Sequence, residues 1–149
     1  MSNLSVGRDF QTETLTLHND ISEVPLLNNF IKAVASRLGF EPSTALELQL
    51  AVEEAVVNVM DYAYPPDTVG MVTVATTTDG QSMEIVISDS GTPFDPTKQE
   101  KADISLSVEE RQIGGLGIFL VNEIMDTVSY ERKDGKNVLT LTKQLNDKS

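Results

Sequence analysis

Cysteine is absent from this 149-residue sequence, which excludes disulfides, thiolate metal sites and cysteine nucleophiles and suits a reducing cytoplasm. Histidine is nearly absent. His18 is the single one, so a multi-histidine zinc centre is excluded, and nothing near it in sequence supplies a catalytic partner. Basic residues are scarce, 11 against 23 acidic ones, and the formal net charge of −12 opposes binding to a phosphate backbone, so nucleic acid is not an expected partner. The acidity serves solubility and also suits a basic protein partner. Long apolar runs are missing too: MSNLSVGRDF has no core of signal-peptide length, and no later stretch approaches the roughly 20 apolar residues that cross a bilayer. A soluble, cytoplasmic chain with no membrane partner is expected.

What the sequence does contain centres on Leu46 to Tyr64. Leu48, Val52, Ala55, Val59 and Tyr62 recur at the four-and-three spacing of one helical face, which predicts a core-packed helix. Glu54, Asn58 and Asp61 share the other face. A carboxylate there can take a proton or order a water, and a carboxamide oxygen can ligate Mg²⁺ without adding charge. On this helix alone, a solvated surface is the favoured reading of the same residues.

In chain order, Phe10 to His18 alternates β-branched and apolar residues as a strand at a sheet edge. Ser22 as N-cap, Pro25 in the first turn, Leu27, Phe30, Ile31, Val34 and Leu38 on one face, and Gly39 as the stop predict a helix. Glu41, Pro42 and Ser43 restart the chain into the central helix, which Tyr64-Pro65-Pro66 ends. Met71 to Thr77 and Met83 to Ser88 read as a hairpin turning at Asp79-Gly80, and Thr127 to Arg132 and Asn137 to Lys143 as another turning at Asp134-Gly135. The expected fold is α+β: a mixed, mainly antiparallel sheet with helices packed on one face, in one domain.

Two further stretches carry chemistry. Asp89-Ser90-Gly91-Thr92-Pro93-Phe94-Asp95 follows a strand and presents a carboxylate from a sharp turn, with glycine permitting close approach by a flat ligand. A plain loop uses the same residues. Residues 97–113 lose periodicity, as an active-site lid or an unstructured connection would. Gly114-Gly115-Leu116-Gly117 then opens a helical run, where backbone N–H groups can converge on an anion. Neither a Walker loop nor a dinucleotide fingerprint is present.

Taken together, Glu54-x-x-x-Asn58, Asp89-x-Gly91-x-Pro93-Phe94 and Gly114-Gly115-Leu116-Gly117 resemble the N, G1 and G2 boxes of the GHKL (Bergerat-fold) ATPases. The length and the phrase GGLGIFLVNEIMD are similar to the anti-sigma-factor serine kinases of the RsbW and SpoIIAB type. The likeness runs from about Leu15 to Lys143, within a single histidine-kinase-like ATPase domain over 1–149 (core about 10–145, lid about 97–113).

The resemblance implies ATP and Mg²⁺ as cofactors, with Asn58 ligating the metal and Glu54 activating the acceptor hydroxyl or a water. Glu53 lies about 100° round the helix and does not share that face. Asp89 would bind the adenine amino group, with Gly91 leaving room beside the base and Pro93 and Phe94 in the same box. Gly114, Gly115, Leu116 and Gly117 would face the phosphates, and Arg111 would steady charge on the transferred group. Tyr62 stands where many relatives carry a histidine. The implied activity is a protein serine/threonine kinase acting on a STAS-domain anti-sigma-factor antagonist, and an anti-sigma factor that holds a sigma factor. Many relatives of this kind are homodimers. The alternatives are a nucleotide-dependent binding switch without phosphotransfer and a regulatory kinase of a phosphatase cascade that binds no sigma factor.

Overall fold

The computed structural model describes residues 11–98 and 113–144, with side chains for 11–97 and 118–144. Arg111 and most of the lid candidate lie outside the described residues. Period-two alternation builds five strands: β1 (Gln11–His18), β2 (Met71–Thr78), β3 (Ser82–Asp89), β4 (Thr127–Lys133) and β5 (Lys136–Gln144). They form one sheet in the order β1-β2-β3-β5-β4. Every pairing is antiparallel, so the sheet expected to be mixed is wholly antiparallel among the described strands. Register puts one face together: Leu17 lies opposite Val72, Val74 opposite Ile87, and Ile85 opposite Leu141, and all six are buried.

Three helices cover that face: α1 (Val24–Leu38), α2 (Pro42–Tyr62) and α3 (Ile113–Ile124). Each contributes a stripe, Leu27, Ile31 and Val34 from α1, Leu48, Val52 and Val56 from α2, and Ile118 and Val121 from α3. None of the described helices is long and apolar enough to cross a membrane. The helix starts differ from expectation. Asp20, not Ser22, is the cap: its Oδ1 accepts from Ser22 N (2.9 Å) over a short 3-10 turn, Ile21–Glu23, and α1 begins only at Val24. Glu23 then binds back, accepting from His18 N (2.7 Å) and meeting its ring Nδ1 (3.2 Å), which joins the end of β1 to the start of α1.

Gly39 ends α1 at φ 88°, the left-handed conformation, and its N–H bonds back to Ser36 O (3.1 Å). Nothing crowds the space a side chain would occupy, so the cost of Gly39→Ala is backbone strain alone. A loss of about 1 kcal/mol is expected in urea unfolding, with no change in slope. At the last hairpin Asp134 (φ 54°) and Gly135 (φ 78°) both take the left-handed region, as a two-residue turn between right-twisting strands requires.

What positions the site is α2. It runs between α1 and α3, so it is buried on more than one side: Ala51, Val56, Asn58 and Met60 join the expected apolar face. Tyr62, expected to be buried, is 37% exposed and stacks on Phe94 at 5.5 Å between ring centroids. The last turn of α2 also meets the end of β3, where Thr92 N and Oγ1 both donate to Ala63 O (2.7 and 3.1 Å).

Candidate nucleotide site

Asn58 is the first departure from a solvated helix face. It is 1% exposed, on a helix that packs against both α1 and α3. Its Nδ2 donates to Glu54 O one turn back (3.1 Å), while Oδ1 is buried and accepts nothing among the described residues. A buried, unpartnered carboxamide oxygen costs free energy unless a ligand completes it. As a hard, neutral oxygen donor it fits a Mg²⁺ ion.

Glu54, one turn earlier, is half-buried. Burial pushes its carboxyl above the usual range, and the neighbouring Glu53 charge adds to the rise. Glu53 itself turns to α1, where its Oε1 accepts from Asn28 Nδ2 (3.2 Å). The two adjacent carboxylates are thus separated by the helix, as their 100° offset predicts. Asp61 is exposed and lines an open cleft of about 730 Å³ with His18, Asn19, Asp20 and the loop from Pro65 to Val69. It does not join Glu54 and Asn58 in a buried cluster.

Asp89 closes β3 at 4% exposure. Its Oδ1 accepts from Gly91 N (2.8 Å) and from Asn137 Nδ2 (2.9 Å), while Oδ2 is buried without a partner. Burial raises its carboxyl, and the bonds from Asn137 and Gly91 and the charge of Arg132 pull it back. Among the described residues Oδ2 is therefore an acceptor without a donor, which fits an exocyclic amino group. Among the described residues the other two buried, unpartnered side-chain oxygens, Asn28 Oδ1 and Thr76 Oγ1, lie on α1 and β2.

Gly91 also answers a packing demand within the fold. A Cβ there would stand 2.3 Å from Ala63 O and 2.8 Å from Ala63 C, so its bareness admits the end of α2. Gly114, Gly115, Leu116 and Gly117 fall inside α3, which begins at Ile113, rather than in a turn before it. The N–H groups of Gly114 and Gly115 belong to the first turn, where donors lack helical partners, whereas that of Gly117 falls where the ladder back to Ile113 has begun. Arg111 lies outside the described residues.

Four residues that hold the site escaped sequence reasoning. Asn137, 4% exposed on β5, bonds Asp89, Thr92 O (2.8 Å) and Phe94 N (3.0 Å) and accepts from Tyr130 OH. Arg132 donates to Gly91 O (2.9 Å). Tyr64 donates to Met71 O (2.7 Å) and accepts from Ser90 N (3.2 Å), joining the chain after α2 to the start of β2 and the end of β3. Asn137 follows Asp134-Gly135 closely and reads as turn chemistry; only the register that sets it opposite Asp89 reveals it.

Comparison with known proteins accords with this geometry. The family of histidine kinase-like ATPase domains matches residues 17–143. The serine-protein kinase RsbW of Listeria monocytogenes is 35% identical, over 79% of this chain and 77% of the relative. RsbW of Bacillus cereus is 30% identical, over 78% and 74%. The crystal structure of the RsbU and RsbW domains of a Mycobacterium tuberculosis protein superposes with a TM-score of 0.65 at 17% identity, a likeness of fold. It covers 91% of this chain, which spans 32% of that longer one. The chain belongs to the histidine kinase-like ATPase domain family, in the group of the RsbW serine-protein kinases.

Proposed function

We propose that this protein is a cytoplasmic, ATP-dependent serine/threonine kinase that phosphorylates a STAS-domain anti-sigma-factor antagonist, and that it binds a sigma factor as a homodimer. Residues 1–149 form one ATPase domain in this reading. The observation that carries it is the pair of buried, unpartnered oxygens, Asn58 Oδ1 and Asp89 Oδ2, in a chain of this family. No group of three or more acidic or histidine side chains suited to a metal occurs among the described residues. Mg²⁺ would therefore take Asn58 Oδ1 together with oxygens of the nucleotide.

Asp89 Oδ2 would receive the adenine amino group, with Pro93 and Phe94 beside the base. The segment Gly114, Gly115, Leu116 and Gly117 at the start of α3 would face the phosphates, with the N–H groups of the first turn as donors, and Arg111 would balance developing charge. Bound ATP supplies the phosphoryl group and Mg²⁺ neutralises its charge. Glu54 takes the proton of the acceptor hydroxyl, and burial, by raising its carboxyl, makes it a stronger base.

Incubation with labelled ATP and a cognate STAS-domain protein tests the reading, with phosphoserine or phosphothreonine on that protein as the expected product. Confirmed ATP binding with no phosphoprotein would leave a nucleotide-dependent switch instead. Transfer without a copurifying sigma factor would make the protein a regulatory kinase alone.

A further inference from the structure

Asn137 makes three of its four side-chain hydrogen bonds to one short turn and the fourth to Tyr130 on β4. Its Nδ2 donates to Asp89 Oδ1 (2.9 Å) and Thr92 O (2.8 Å), and its Oδ1 accepts from Phe94 N (3.0 Å) and Tyr130 OH. The start, middle and end of the segment from Asp89 to Phe94 thus converge on one side chain, itself 4% exposed. The asymmetry this creates at Asp89 is the informative part. Oδ1 holds two donors, Gly91 N and Asn137 Nδ2, and the buried Oδ2 holds none. Rotation of the carboxylate would break both bonds to expose the same chemistry, so one oxygen is kept as a bare acceptor.

We propose that Asn137 is a positioning residue that sets base selectivity: by anchoring Asp89 Oδ1 it presents Oδ2 as an acceptor, admitting a purine with an amino group at position 6 and rejecting one with an oxo group. The inference rests on the nucleotide reading of the site. An amino group donates to Oδ2, whereas a 6-oxo group sets acceptor against acceptor and leaves both unpaired. The selectivity requires the carboxylate to stay ionised, since a protonated Asp89 could donate to a 6-oxo group. Burial pushes Asp89 towards protonation, and the bond from Asn137 is the largest of the influences that oppose it. Loss of Asn137 would then weaken selectivity in two ways, by freeing the carboxylate to turn and by favouring its proton.

The test compares wild type, Asn137→Ala and the near-isosteric Asn137→Asp as full chains. Calorimetric titration with ATP and with ITP gives the ratio of affinities, NMR follows the titration of the Asp89 carboxyl in the free protein, and melting curves establish folding. Wild type is expected to favour ATP. Both variants should narrow the ATP-to-ITP ratio by about tenfold or more, and the Asp89 midpoint should rise. A purely structural role would weaken both nucleotides alike, so an unchanged ratio in a folded variant overturns the proposal. Should wild type bind neither nucleotide, the functional reading fails separately. An Asp89 midpoint unmoved by the substitutions then overturns the positioning role by itself. Asn137→Asp serves this purpose if the alanine variant does not fold, since it keeps side-chain volume and the acceptor for Phe94 N.

Discussion

Glu54→Gln is expected to lower phosphotransfer to the protein substrate by about 10²- to 10⁴-fold while nucleotide affinity stays within about threefold. The substitution keeps the shape of the side chain and removes only its ability to take a proton. Glu53→Gln is the matched control, because Glu53 faces α1 and bonds Asn28 rather than the face that carries Asn58. It should transfer at the wild-type rate. Single-turnover transfer with separately measured ATP binding checks both, and normal transfer by Glu54→Gln would place the base elsewhere.

The same variant has a stability signature with a definite sign. The folded chain holds the Glu54 proton more tightly than the unfolded chain does, because burial first and the Glu53 charge second raise its carboxyl. Ionising Glu54 therefore opposes folding. The penalty is absent below the ordinary carboxylate range and grows as pH rises from there through the raised value. Glutamine carries no charge to desolvate, so Glu54→Gln should melt at or above the wild-type temperature near pH 7 and lose that advantage near pH 4. A variant that is less stable at neutral pH would show that the carboxylate makes a favourable contact in the fold.

Gly91→Ala is expected to be among the most damaging single substitutions, at about 3 kcal/mol. The new methyl would meet Ala63 O at 2.3 Å and Ala63 C at 2.8 Å, both backbone atoms, so no side-chain rotation relieves it. Ala63 O is also the acceptor for Thr92 N and Oγ1, and Gly91 O is held by Arg132. Displacing the turn disturbs all three bonds and Asp89 with them. Urea denaturation gives the cost, and a wild-type midpoint would contradict the close approach. A variant that kept its stability yet lost ATP affinity would assign Gly91 to making room for the base rather than to packing.

How much of this was legible beforehand follows from the range of each interaction. Helices and strands were written locally: four-and-three spacing in α1 and α2, alternation in β2, β3 and β5, and a left-handed pair at Asp134-Gly135. Errors fell where the competing signal came from outside the segment. Ser22 looked like a cap until Asp20 was found bonded to its N–H, and Tyr62 fitted the apolar spacing although the helix end leaves it stacked on Phe94 at the surface. Asn58 is the sharper case. Its spacing from Glu54 marked it as chemistry, yet the same spacing described a solvated face, and its burial in the folded chain decides between them.

By itself, then, the sequence determined the element order, the core stripes and the three separated boxes that place the chain in its family, because these depend on residue type and local period. Only the tertiary structure decided which atoms are left unsatisfied. That Asp89 has one bound and one bare oxygen depends on Asn137, 48 positions later, reaching it across the pairing of β3 with β5. A hydrogen bond is short-ranged and directional, so its presence is a property of register and packing that residue spacing along the chain does not encode.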